Sequence, residues 1–424
     1  MKIKYQFNRI TGIAALLIMI AGAASSLAQT KPREEKLLNG LKLLMWRDSN
    51  ASDVSIRIRI HAGSAFDPQG KEGVMRLLAD NIFPNDAARD FFTEELGGSL
   101  AVTTDYDFIE IAASGRSDSL LTLIETLAPA VANMTIDKPT TARLKQTLTN
   151  QVKALETDPA YVADAAAVRR LFGTFPYGRP KFGTPESIAK IDFADLIDAK
   201  QRFLTADNAT IAIKGNFDQA FAFKAARRLF GAWLKSDKRI PSTFRQPDAP
   251  ADGMLIVPSP KAEQAEVRYA IRGLARNDKD LAAGKIYAFI LENRVKARIP
   301  PPFSDKVFAK MQERTLPGVF VIGFSATAND IGTGNGKIDA NEIMAKSLAD
   351  PMTDAEFSTA RTRFAADWAK IDNATFWLDA DTFKFADPSA ESKRAEMVTL
   401  ADVRKVAGNV AKQPVVTILV NTPN

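Results

Sequence analysis

The chain holds one histidine and no cysteine, so the side chains that most often carry nucleophilic and metal chemistry are almost missing. Ser-His-Asp catalysis would have to pass through His61, and a metal site built on two imidazoles cannot form within one chain. His61 stands beside Gly63-Ser64, but no G-x-S-x-G elbow accompanies it, and it reads as a polar residue at a strand end. Without cysteine there is no thiolate ligand, no thiol nucleophile and no redox pair. No cofactor is expected.

The run Asp330–Glu342 invites two readings. As a calcium loop, Asn335, Gly336, Asp339 and Glu342 fall on usable positions, but Ile331 takes the first place and cannot ligate. As a phosphate loop, Gly336-Lys337 is followed by Ile338 where Ser or Thr would hold magnesium. A glycine-rich turn before a helix accounts for the same residues.

The composition is that of a globular protein, 46% apolar and 25% charged over 424 residues. The length suggests roughly two to three domains. Lys2, Lys4 and Arg9, the apolar Thr11–Ala24 and Ser26-Leu27-Ala28 form a secretory signal cut after Ala28. Its removal takes away three of the six excess positive charges, leaving too weak and dispersed a balance to argue for nucleic acid. The expected destination is export, periplasmic or secreted, with no membrane attachment after cleavage.

The elements that would position a site can be read from periodicity. Leu37–Met45 looks like a hairpin around Asn39-Gly40. Val54–Ile60 alternates as a half-buried strand, and Gly73–Phe83 places Val74, Leu77, Leu78 and Ile82 at helical spacing. Strands follow at Ser99–Thr103 and Phe108–Ser114, helices at Leu120–Ala132 and Thr140–Glu156, then a strand at Thr210–Lys214 and a helix at Phe217–Phe230. After a polar, proline-bearing run the pattern partly restarts, with strands at Met254–Val257 and Gln264–Arg272 and a helix at Asp280–Val295. Strand-then-helix units about 210 residues apart suggest a duplicated unit. The expected fold class is α+β: two homologous domains, each a mostly antiparallel sheet backed by helices. The expected boundaries are a signal at 1–28, a first domain at 29–236, a linker at 237–252 and a second domain at 253–424.

Leu38-Asn39-Gly40-Leu41, Ala62-Gly63-Ser64, Asp67-Pro68-Gln69-Gly70 and Gly73-Val74 resemble the opening of the pitrilysin/insulinase zinc peptidases, a family that includes the mitochondrial processing peptidases. Leu96-Gly97-Gly98-Ser99-Leu100, Glu156-Thr157-Asp158-Pro159, Pro176-Tyr177-Gly178-Arg179-Pro180 and Gly183-Thr184-Pro185-Glu186-Ser187-Ile188 extend the likeness in order. It covers residues 35 to 235 well and 253 to 424 more weakly.

The resemblance implies a metal helix with His-x-x-Glu-His, two imidazoles on one helix face and a glutamate that polarises the bound water. Aligned on Gly73-Val74 and Phe83, those places hold Arg76, Leu77, Leu78, Ala79 and Asp80. The family's later glutamate ligand and its helper correspond to Gln151 and Leu144, and Thr140–Leu155 contains no acidic residue. Arg76 and Asp80 should instead form a surface ion pair of about 0.3–0.5 kcal/mol. Leu144, Leu148 and Leu155 should form an apolar stripe with Gln151 among them. The Arg and Tyr that hold the substrate carbonyl in the family find only Arg298 and Phe303 as counterparts, with Pro300-Pro301-Pro302 disturbing the spacing. In the family a peptide adds as a strand to a sheet edge, which here corresponds to Ser99, Leu100, Ala101, Val102 and Thr103; backbone hydrogen bonding of that kind does not need a metal. The expectation is a non-catalytic family member, the metal-free subunit of a heterodimer with a zinc-bearing homologue. The alternatives are a stand-alone peptide-binding or scaffold protein and an active metallopeptidase.

Overall fold

The computed structural model describes residues 30–236, 245–248, 250, 253–261, 263–332 and 337–421. The signal segment, most of the 237–252 linker and the centre of the glycine-rich run lie outside these.

The first half begins with strands β1 (Arg33–Lys36), β2 (Lys42–Arg47) and β3 (Asp53–Ile60). Helices α1 (Val74–Asp80) and α2 (Ala87–Glu94) precede strands β4 (Ser99–Thr104) and β5 (Ile109–Arg116). Helices α3 (Leu120–Ala132), α4 (Lys138–Leu155), α5 (Pro159–Phe172), α6 (Pro185–Ala189) and α7 (Phe193–Phe203) then lead to strand β6 (Ala209–Gly215) and helix α8 (Gln219–Phe230). The second half carries β7 (Gly253–Pro258), β8 (Gln264–Arg272), α9 (Leu281–Arg298), β9 (Phe308–Met311) and β10 (Val319–Thr327). It closes with α10 (Ala340–Ala349), α11 (Asp354–Ala369), α12 (Asn373–Thr382), α13 (Pro388–Met397), α14 (Leu400–Val410) and β11 (Val416–Asn421).

The strands form two sheets, in the orders β1-β2-β6-β3-β5-β4 and β7-β11-β8-β10-β9. Setting β1 aside, the two orders match strand for strand. In both, the pair β2–β6 or β7–β11 is parallel and the other pairs are antiparallel. The duplication expected from Val54–Ile60 and Gln264–Arg272 is thus β3 and β8, each at the centre of its sheet. The hairpin at Asn39-Gly40 is present, but its first strand lies upstream at Arg33–Lys36, and Leu37–Leu41 is the turn. Gly40 adopts φ +91° there, a conformation that favours glycine.

Each sheet packs one face on helices of its own half. The first core joins Ile56, Ile58, Ile111 and Ile213 to Leu77, Leu123, Leu127 and Leu148. The other faces are covered by exchange. Ala163, Ala167 and Leu171 of α5, from the first half, pack on Ala270, Val416 and Ile418 of the second sheet. Trp377 and Leu378 of α12, from the second half, share a core with Leu44, Trp46 and Ala212 of the first. The alternation read in Gln264–Arg272 does not give a solvent face, because Glu266 and Arg268 lie buried under α5.

The polar residues under the exchanged helices are paired. Arg59 on β3 is 3% exposed. It donates to Glu110 at 2.6 Å and 2.9 Å and to Asp379 of α12 at 2.5 Å, and its guanidinium lies 4.1 Å from the Phe108 ring centroid. Arg268 on β8 repeats the arrangement, donating to Glu266 at 2.8 Å and to Asp164 of α5 at 2.6 Å, and stacking over Phe308. Two buried arginines, one per sheet, each grip an aspartate on the helix contributed by the other half. Buried charges persist only when paired in this way. Trp46 and Trp377 both donate their indole N–H to the Thr30 carbonyl, tying the chain's first described residue to the same junction.

Candidate functional site

Helix α1 is held at its start by the residues that carry the family resemblance. The Asp67 carboxylate accepts the backbone N–H groups of Gly73 at 2.8 Å and Met75 at 2.7 Å. Burial pushes its pKa up to about 7 against those two hydrogen bonds. Gly73 stands before the first turn with φ +110°, where a Cβ would press on the Phe182 carbonyl at 3.1 Å. Thr184 and Ser187 form a capping box on α6, and the Ser187 hydroxyl donates to the Glu72 carbonyl at 2.8 Å. Gly183-Thr184-Pro185-Glu186-Ser187-Ile188 is therefore a clamp on the entry to α1.

Pro176–Pro180 fixes the neighbouring joint. The Tyr177 hydroxyl donates to Asp107 and accepts the Leu316 N–H; the Tyr106 hydroxyl donates to the Arg179 carbonyl. Arg314, in the β9–β10 connection of the second half, pairs with Asp105 and stacks over Tyr106. Sequence reasoning missed Asp105, Tyr106, Asp107 and Arg314. The turn signal at Asp105–Asp107 was legible, but its partner lies some two hundred residues away.

On α1 itself, Arg76 donates through Nε to both carboxylate oxygens of Asp80 at 3.0 Å. The pair is not a surface feature as expected: the two side chains are only 23% and 22% exposed. Burial raises the Asp80 pKa and Arg76 opposes the rise. Arg76 and Lys181 both lie against one ring, Phe182, at 5.2 Å and 4.8 Å from its centroid. Lys181 loses basicity through burial and through the nearby Arg314 and Arg76. Ala79 is buried in the first core.

Across from α1, helix α4 sends Leu144, Leu148 and Val152 into the core at i, i+4 and i+8. Val152 occupies the place expected for Leu155, which stays half-buried, and Gln151 is exposed, because two i+4 steps from Leu144 carry the stripe to 152. Arg76, Gln151, Leu155, Asp158 and Phe182 line one cleft of about 490 Å³. The structure thus brings Arg76 and Gln151 together from separate helices. A zinc-peptidase centre needs two imidazoles and a carboxylate around one point. This cleft offers a guanidinium already engaged by Asp80, the Asp158 carboxylate that caps α5 by accepting the Ala160 N–H, and a carboxamide. Those donors do not fit the ion.

Arg298 and Phe303 are not part of this cleft. Arg298 pairs with Asp350 and donates to the Arg294 carbonyl at 2.8 Å, and Phe303 packs against the second core. His61 is enclosed between β6 and α12, with Nδ1 at 3.0 Å from the Thr382 hydroxyl and Nε2 at 3.0 Å from that of Thr210. Burial lowers its pKa to about 3, with Lys384 adding to the effect. It is a neutral bridge between the halves. A larger cleft, about 1210 Å³, lies between the Asp67–Gln69 turn, the end of α5 and residues 245–248, and shares no lining residue with the Arg76 cleft. The calcium and phosphate readings of the glycine-rich run fall partly outside the described residues; Asp339 there caps α10 by accepting the Glu342 N–H at 3.0 Å.

Strand β4 is an edge of the first sheet. The Asp105 N–H donates to the Phe108 carbonyl, which fixes the phase of the antiparallel ladder. Ser99, Ala101 and Thr103 then bond inward to β5, and Leu100, Val102 and Thr104 point their backbone groups out of the sheet.

Among the described residues no helix is long and apolar enough to cross a membrane. The family model described as insulinase (peptidase family M16) matches residues 42–184, and that described as peptidase M16 inactive domain matches 190–364. An uncharacterized zinc protease of Rickettsia bellii is 23% identical over 208 residues, 48% of this chain and 50% of that protein. The chain is thus matched over about half the length of this curated relative. The solved peptidase M16 inactive domain from Pseudomonas fluorescens shares the fold with a TM-score of 0.81 at 20% identity, covering 93% of this chain and 98% of that one. The periplasmic protease PqqL from Escherichia coli gives 0.71 at 15% identity, covering 94% of this chain and 48% of that one. Frame motifs, sheet order and both halves' matches agree: the chain belongs to the insulinase/pitrilysin family, peptidase family M16.

Proposed function

We propose that this chain is a non-catalytic member of its family, exported to the periplasm or beyond, and that it serves as the metal-free subunit of a heterodimer with a zinc-bearing homologue. The observation that carries the reading is the face of α1: Arg76 closed on Asp80, Ala79 in the core, and Gln151 opposite. A cation is already fixed where the family's dication would stand. The likeness to about half of a longer periplasmic protease supports a role as one half of a larger chamber. The test is co-expression with a zinc-bearing homologue from the same source, followed by native mass measurement, metal analysis and peptidase assay. A complex whose activity exceeds that of the homologue alone is expected. No complex and unchanged activity refute the pairing, and stoichiometric zinc with peptidase activity in this chain alone refutes the non-catalytic reading.

A second reading, stand-alone peptide binding, is favoured by the β4 edge, which is complete within a single chain. An extended peptide would pair with Leu100, Val102 and Thr104 through backbone groups. Val102→Pro removes one outward N–H and leaves the ladder to β5 intact, whereas Ala101→Pro breaks that ladder. Val102→Pro should weaken peptide binding about tenfold by fluorescence anisotropy without changing the melting temperature; unaltered binding removes the edge-strand idea.

A further inference from the structure

The two sheets have four edges, and two carry the charges that commonly blunt an edge. These are β1, which reads Arg-Glu-Glu-Lys, and β9, which carries Lys310; the third edge, β4, is uncharged but rich in Ser and Thr. The fourth, β7, reads Gly-Met-Leu-Ile-Val-Pro and has no charge. Met254, Leu255 and Ile256 are 42%, 40% and 59% exposed, so both faces of the strand present apolar side chains to solvent.

The internal duplication shows what the described residues lack. In the first sheet, β2 occupies the place that β7 has in the second, and β1 pairs with it antiparallel from Arg33↔Met45 to Lys36↔Lys42. Leu43, Leu44, Met45 and Trp46 on β2 are buried. The second sheet has no described counterpart of β1, and the matching apolar residues of β7 are left open.

The backbone of β7 is set up for the same addition. Gly253 and Ser259 donate toward β11, to the carbonyls of Val415 and Asn421. With a period of two, Leu255 and Val257 also face β11, and Met254, Ile256 and Pro258 turn their backbone groups outward. Pro258 sits at an outward position, where its missing N–H costs the sheet nothing and ends the free edge.

We propose that β7 pairs with β7 of a second copy of this chain across a two-fold axis, joining the two second-half sheets into one. A two-fold makes the two strands antiparallel, the orientation β1 adopts on β2, and it sets each uncharged edge against an identical one. Because β7 belongs to the other sheet from β4 and does not include the α1 face, this association is independent of the function proposed above.

The test is light scattering on the purified chain from about 1 to 100 µM, with the variants Ile256→Pro and Met254→Lys. The wild type should show twice the chain mass at the upper concentrations. Ile256→Pro deletes an outward N–H, Met254→Lys places a charge on the edge, and both should be monomers with an unchanged melting temperature. A wild type that stays monomeric throughout overturns the proposal. So does a dimer that persists in both variants, because it would use another surface.

Discussion

Replacing Arg59 by methionine tests how the two halves hold together. Its guanidinium is 3% exposed and bridges Glu110 and Asp379, so its loss removes the cation the two carboxylates share and leaves Asp379 with Arg276 at 3.9 Å. Breaking a buried pair by removing one partner costs about 3–5 kcal/mol, against about 0–1 kcal/mol for an exposed one. Asp379 already has a raised pKa, chiefly from burial, with Arg59 the first of the charges opposing the rise. Without Arg59 the carboxyl moves further up. A group whose folded pKa lies above its unfolded value supports the fold while protonated and loses that support as pH rises through the folded pKa. The defect should therefore be full at pH 7.5 and shrink on acidification, by at most about 1.4 kcal/mol per unit for each carboxyl that takes up a proton. Urea unfolding followed by tryptophan fluorescence suits the measurement, since Trp46 and Trp377 both bond to Thr30 at this junction. The double variant Arg59→Met with Asp379→Leu should recover much of the loss. A single-variant defect below about 1 kcal/mol, or one that grows as pH falls, refutes the account of Arg59 as a buried clamp.

Two further outcomes are expected. His61 titrates at about 3 in the fold and near 6.5 when unfolded, so its contribution is intact above pH 6.5 and is lost as pH falls, at about 1.4 kcal/mol per unit; His61→Gln should flatten stability between pH 6 and 4 relative to wild type, and an unchanged slope counts against a half-buried neutral imidazole. The triple variant Arg76→His, Asp80→His, Gln151→Glu should acquire about one zinc per chain by elemental analysis where the wild type acquires none, and failure to gain zinc in a folded variant refutes the placement of the vacated centre on α1 and α4.

Much of the scaffold could be read without the structure because its signals are local. The alternation of Val54–Ile60, the helical spacing of Val74, Leu77 and Leu78, and Leu120–Ala132 each report a neighbour two to four residues away. The leucines at 144, 148 and 155 suggest a stripe that runs past its true course, because Val152 and not Leu155 takes the third buried place. The polar residues of β3 and β8 could not be read. Arg59 and Arg268 look like solvent-face residues of alternating strands, and their aspartate partners lie on helices of the opposite half.

The residue inventory alone ruled out a two-imidazole metal site, because chemical identity does not depend on where the chain goes: one histidine and no cysteine cannot supply those ligands. Tertiary structure alone decided that α5 and α12 are exchanged between the halves, that Arg76 and Gln151 share a cleft, and that β7 is an uncharged edge left unpaired among the described residues. Each of these depends on contacts across tens to hundreds of residues, fixed by packing two sheets together and not by any local pattern.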